Sequence, residues 1–142
     1  MNEFAILLMK KDQDNIITEE IATLDMDQEA EYINSLFVTT NGEKEQLNIQ
    51  LTTKSGVEDW EYTAIFDYYE DDKVADGIKQ IVKNEVKVSV CEEAFNPTWE
   101  YSFPMTEDIE GMEVLLKAII QVHEDELKDV LLEIKDKEAE YL

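Results

Sequence analysis

Thirty-five acids against 12 basic residues give this 142-residue chain a net charge of −23 at pH 7, and every basic residue is a lysine. That balance excludes direct binding to DNA or RNA, which needs a basic stripe to release counterions. It disfavours nucleotide substrates, because arginine is the residue that grips phosphate with two parallel hydrogen bonds. The length suits one domain, and 44% apolar residues with five Phe, six Tyr and two Trp supply a packed core.

The charge is spread evenly. Residues 1–53 carry 11 acids and 3 lysines, 54–105 carry 12 and 5, and 106–142 carry 12 and 4. With no acidic tail, the folded surface itself is expected to be negative.

The opening "MNEFAILLMKKD" does not read as a signal peptide, because no basic residue precedes its short apolar run. No stretch approaches the length of a membrane span. Phe4–Met9 is apolar at every position, as a central strand covered on both faces would be. "IITEEIATLDM" reads as a weaker strand. Asp12 and Asp25 each begin a segment with aspartate at positions one and three of a calcium loop. Both segments lack glycine at position six (Ile17, Ala30) and glutamate at position twelve (Thr23, Leu36), so the motif fails.

In "SLFVTTNGEKEQLNIQL", Asn41-Gly42 between two apolar runs predicts a hairpin with a two-residue turn. That turn would pair Leu36 with Leu47, Asn34 with Ile49 and Tyr32 with Leu51, leaving Asn48, Gln50 and Thr52 on the other face. The stretch "VEDWEYTAIFDYYEDD" (57–72) combines five aromatics with seven acids. At period two, Trp60, Tyr62, Ala64, Phe66 and Tyr68 share a face. At period 3.6, Tyr62, Ile65, Phe66 and Tyr69 line up, and Ser55 with Glu58 imitates a capping box. Aromatic and threonine content favours the strand, with its aromatic face in the core. A base-stacking platform fails for want of a positive groove.

"EVKVSVCE" places Val86, Val88 and Val90 on one face, and "TWEYSF" does the same with Trp99, Tyr101 and Phe103. From Thr106 to about residue 140 the pattern is helical. Its stripe comprises Ile109, Met112, Leu116, Ile119, Ile120, His123, Leu127, Val130, Leu131 and Ile134. Thr106 suits the N-cap, and Glu107 and Asp108 suit the positive end of the dipole. A helix of about 35 residues would measure roughly 50 Å against about 20–27 Å for a strand. Either it overhangs the sheet and offers Leu127, Val130, Leu131 and Ile134 as an interface, or it breaks near "HEDE" and folds back.

Chemistry is scarce. His123 and Cys91 are the sole histidine and cysteine. His123 on the stripe reads as a core or interface residue, and the acids beside Cys91 (Glu92, Glu93) would raise its thiol pKa. No catalytic, cofactor-binding or metal-binding residue is assigned, and no cofactor is expected. One cysteine excludes an internal disulfide framework and fits a cytoplasmic protein.

The expected fold is α+β: a single domain, 1–142, with a mainly antiparallel meander of about six or seven strands in 1–105 and one long helix in 106–142 packed across it. The expected function is that of a small acidic, non-catalytic protein-binding or regulatory protein. It would act through self-association as a homodimer or through a protein partner, with no nucleic acid or membrane. The alternatives are a nucleic-acid mimic inhibiting a basic DNA- or RNA-binding protein, a holdase-type chaperone with an exposed apolar groove, and a small-ligand binder or enzyme with a pocket between sheet and helix.

Overall fold

A computed structural model describes residues 4–41, 44–105 and 108–142. Among them are six strands, β1 (Ile6–Lys11), β2 (Ile17–Leu24), β3 (Ile33–Asn41), β4 (Lys44–Leu51), β5 (Lys87–Val90) and β6 (Trp99–Pro104). The helices are α1 (Asp59–Tyr68), α2 (Asp71–Val82) and α3 (Ile109–Ile134), with 3-10 turns at Gln28–Tyr32 and Glu138–Tyr141. The fold class is α+β, as the alternation and the C-terminal stripe predict.

The topology is not a meander. The sheet runs β2-β1-β3-β4-β6-β5, and β1 pairs with β3 in parallel, through Met9 with Phe37 and Lys10 with Val38. All other neighbours are antiparallel. After β4 the chain leaves the sheet for α1 and α2, and β6 rather than residues 57–69 becomes the neighbour of β4.

Within the stretch 57–69, where the aromatic pattern predicts a strand, Asp59–Tyr68 therefore forms a helix. Its N-terminus carries a reciprocal capping box of Glu58 and Glu61, one turn later than the Ser55–Glu58 pair, with the Glu58 N–H donating to Glu61 Oε1 at 2.9 Å. Asp59 and Glu61 in the first turn sit at the positive end of the dipole. On the helix Ala64 and Ile65 are buried, with Tyr69 just beyond, while Trp60, Tyr62, Phe66 and Tyr68 pack half-buried against the core. Packing of an amphipathic face outweighs the weak strand preference of single residues.

No element is read from 71–82 in the sequence, yet Val74, Ile78, Ile81 and Val82 recur there at helical spacing, and Val74, Ala75 and Ile78 are buried in α2.

The β3–β4 hairpin is shifted from the predicted pairing. Leu36 faces Ile49 and Val38 faces Leu47, so Asn41 pairs with Lys44. Gly42 and Glu43, which lie between them, are outside the described residues. A shift by two leaves the faces unchanged, because side chains alternate with period two: Leu36, Val38, Leu47, Ile49 and Leu51 are all buried. Ile33 takes the place expected for Tyr32 opposite Leu51, after a register irregularity at Asn34.

Trp99, Tyr101 and Phe103 are buried as the alternation of β6 predicts. Val88 and Val90 share their side through pairing with Tyr101 and Trp99. However, β5 is the sheet edge, and Val90 is 41% exposed.

All three helices cover one face of the sheet, the face of Leu8, Val38, Leu47, Ile49 and Trp99. Leu7, which alternates with Leu8, is 43% exposed, so β1 is covered on one face and not two. Helix α3 begins at Asp108, whose carboxylate accepts the Gly111 N–H at 2.8 Å. Thr106 and Glu107, the expected cap and first-turn acid, lie outside the described residues.

The helix runs unbroken through "HEDE" to Ile134, 26 residues or about 39 Å. Its distal half does not overhang, because α1 packs against it. The chain then turns back so that Tyr141 donates to Asp67 Oδ2 at 2.7 Å. Where α2 crosses α3, a Cβ on Gly77 would lie 2.9 Å from Val122 Cγ1, inside any real contact. Gly77→Leu is accordingly expected to cost about 1–3 kcal/mol by overpacking, read as a lower urea midpoint; an unchanged midpoint would contradict this close crossing.

Candidate functional site

A buried constellation of polar side chains joins four elements. Tyr69, at the end of α1, stacks on Trp99 with ring centroids 3.7 Å apart and planes 16° from parallel. Its hydroxyl lies 2.9 Å from Tyr101 Oη on β6 and 2.8 Å from His123 Nδ1 on α3. The other imidazole nitrogen, Nε2, lies 2.9 Å from the carbonyl oxygen of Thr52, just past β4. A carbonyl can only accept, so Nε2 carries the proton and Nδ1 is the acceptor. Tyr69 O–H donates to Nδ1, and Tyr101 O–H donates to Tyr69. Every polar atom of the chain Tyr101–Tyr69–His123–Thr52 is thereby used.

Burial sets the charges. It lowers the His123 pKa to about 4, against a smaller opposing pull from the Thr52 carbonyl and Glu124. It pushes the hydroxyls of Tyr69 and Tyr101 well above the ordinary tyrosine value. The imidazole is neutral at pH 7, fully buried, and lines none of the five principal clefts. Buried there, it holds the elements together.

Nearby, buried Glu126 accepts the Glu70 N–H at 2.9 Å through Oε2 and meets Lys73 Nζ at 3.3 Å through Oε1. It thereby ties the start of α2 to α3.

The other residues singled out in the sequence fall apart in space. Leu127, Val130 and Ile134 are 3%, 3% and 1% exposed, filling the chain's own core, and of the four expected interface residues only Leu131 reaches solvent, at 39%. Cys91 is half-buried past the end of β5, and its thiol pKa is raised chiefly by burial and then by Glu100, not by Glu92 or Glu93. The Asp12 carboxylate caps its own turn, accepting the N–H groups of Asp14 and Ile16 at 2.9 Å each. Among the described residues no three of His, Cys, Asp or Glu converge as metal ligands would.

The sheet's other face is a different kind of surface. Strand pairing places Leu7, Met9, Lys11, Glu20, Phe37, Asn48, Gln50, Glu100, Ser102 and Lys87 there. Its polar groups are tied flat. Ser102 Oγ donates to Asn48 Oδ1 at 2.7 Å, and Asn48 Nδ2 donates to Thr39 Oγ1 at 3.0 Å. Gln50 Nε2 donates to Glu100 at 3.0 Å, and Asn34 Nδ2 to Gln50 at 2.8 Å. Lys11 lays its ammonium 4.3 Å from the centre of the Phe37 ring. Where β1 and β3 part, an apolar cleft of about 390 Å³ opens beside Leu7, Met9, Ile17 and Phe37.

The charge of this face is unlike that of the rest. By strand alternation its charged residues are Lys11, Lys44 and Lys87 against Glu20 and Glu100, a net of +1. The chain total is −23, so everything else sums to −24. The even distribution along the sequence hides this separation. Its signal was the polar alternates Asn48, Gln50, Lys87 and Ser89, which only the strand order assembles into one surface.

A family model described as "Family of unknown function (DUF6762)" matches residues 1–142, and the chain belongs to that family. No curated protein and no solved structure matches it. Among the described residues no helix is long and apolar enough to cross a membrane.

The neutral His123 makes stability fall on acidification. The unfolded imidazole, with its ordinary pKa near 6.5, binds a proton that the folded one refuses until about pH 4. Stability attributable to this group is complete above about pH 6.5 and is lost as the pH falls towards 4, by up to about 3 kcal/mol. His123→Gln is expected to cost stability at pH 7, with that cost shrinking by about 2 kcal/mol or more by pH 4.5. Urea titrations of both proteins at the two pH values check it, and a pH-independent difference would contradict a buried neutral imidazole.

Proposed function

We propose that this member of the family is a small acidic, non-catalytic protein-binding or regulatory protein that works through protein–protein contact at the open face of its sheet. The observation that carries this reading is the charge separation: a nearly neutral, partly apolar face with Leu7, Met9, Ile17 and Phe37, on a chain whose remainder carries −24. Interface centres are depleted of charge and enriched in aromatic residues and methionine. A solvated sheet face of a strongly acidic protein would otherwise be expected to carry its share of acids.

The non-catalytic part is supported by the two residues best suited to covalent or acid–base work. His123 is buried with both nitrogens engaged, and Cys91 has a raised thiol pKa. The unpaired Cys91 also suits a reducing compartment, and we place the protein in the cytoplasm.

A second reading draws on the other side of the same separation. Residues off the open face sum to −24, and an acidic surface of that kind is what a nucleic-acid mimic would turn towards a basic partner. Salt separates the two, because a charge-driven contact weakens steeply as the Debye length shrinks while a contact through the open face does not.

The test is photo-crosslinking in the native host, with a photoreactive residue at position 7 or 37 on the open face, or at the exposed Val114 on α3. Adducts from 7 and 37 that survive about 0.5 M salt, with none from 114, are expected. Adducts from 114 alone, lost in salt, would replace this reading with the mimic.

A further inference from the structure

The cross-strand rows of the open face say what could cover it. Successive pairings run Glu20–Met9–Phe37–Asn48–Ser102–Lys87, from the β2 edge to the β5 edge. The row has an acid at one end, a lysine at the other, and apolar and hydrogen-bonded neutral residues between. Read backwards, it sets acid over lysine at both ends, with Met9 over Ser102 and Phe37 over Asn48 between them. A two-fold axis parallel to the strands, midway along the row, would set each Glu20 over the Lys87 of a second copy and bring both Phe37 rings close to the axis. A two-fold axis perpendicular to the strands would instead set lysine over lysine.

We infer that the open face binds a second copy of this chain, sheet face to sheet face, with Glu20 of each protomer opposite Lys87 of the other. This rests on the open face being the binding surface, and names its occupant. Charge limits where two such molecules can meet. Each carries −23, and contact away from the open face opposes like charges at short range. The open face, at +1, is the broad surface among the described residues where that repulsion is absent, and its charge order adds two opposite-charge pairs.

Area sets the strength. Six strands at about 4.8 Å spacing and about 20 Å long present roughly 500 Å² per protomer, or about 1,000 Å² in total. That is at the lower limit for specific association, so the dimer is expected to be weak, with micromolar dissociation, and to tighten as salt screens the overall repulsion.

Light scattering and sedimentation equilibrium on the purified full chain test it, between about 0.01 and 0.5 M salt. The expected result is a monomer–dimer equilibrium shifting towards dimer with salt. Lys87→Glu is expected to weaken it by at least about tenfold through like-charge juxtaposition with Glu20. Lys87→Glu combined with Glu20→Lys is expected to return it to within about threefold of the wild type, since the two ends are exchanged. Both residues are exposed, so these variants keep the fold. Leu7→Glu, also exposed, is expected to abolish the dimer, whereas Leu132→Glu on the helical side leaves it intact.

A monomer up to millimolar concentration in 0.5 M salt overturns the inference, as does a dimer indifferent to Leu7→Glu or unrescued by the charge exchange. A monomer whose positions 7 and 37 still crosslink to a different protein overturns the self-pairing alone, and leaves the open face as the binding surface.

Discussion

The imidazole of His123 is the point through which the helical layer is fastened to the sheet. One nitrogen donates to the backbone where β4 ends, and the other accepts from the tyrosine that ends α1, which in turn is held by Tyr101 on β6. Such a chain is stable in the interior only if complete, because each unpaired member would bear the full desolvation cost of a buried polar group, about 1–3 kcal/mol. Trp99 stacked on Tyr69 and Tyr32 set edge-on to His123 close the site to water. Three helices are thus committed to one side of the sheet, and Glu126 repeats the device at the start of α2.

That commitment leaves the opposite face to do something else. With the helices go most of the acids, and the strands keep lysines at 11, 44 and 87 with a flat network of Asn, Gln, Ser and Thr. A sheet face ordered this way is neither a core awaiting a missing layer nor a surface dominated by charge. Its apolar residues, Leu7, Met9, Ile17 and Phe37, gather on the β2-β1-β3 half, where β1 and β3 part after only two paired positions. The opposite charges at its two edges, Glu20 and Lys87, are the feature that an isologous contact would pair.

Much of this was legible in the amino-acid order, and the failures have identifiable causes. Period-two alternation in β3, β4 and β6 places Leu36, Leu47, Ile49, Trp99, Tyr101 and Phe103 correctly in the core, because one buried face fixes parity even when the turn shifts by a residue. The C-terminal stripe survives for the same reason at period 3.6. Residues 57–82 mislead because aromatic side chains and threonine suit a pleated surface, while the capping box that starts α1 lies one turn beyond the expected pair. With that helix hidden, α3 has no partner for its distal half, and Leu127, Val130 and Ile134 look like an interface when they are core. The open face was out of reach altogether: its net charge depends on the strand order β2-β1-β3-β4-β6-β5, which local pattern does not contain.

The proposed contact through the open face, and not the helical layer, has a direct test. Backbone amide shifts followed by NMR across a concentration series test it residue by residue. Shifts moving with concentration are expected at residues 7–11, 35–39, 46–50, 87–89 and 100–102, while those around the exposed Leu131 and Leu132 of α3 stay fixed. Concentration-dependent shifts confined to α3, with the strands unmoved, would contradict it.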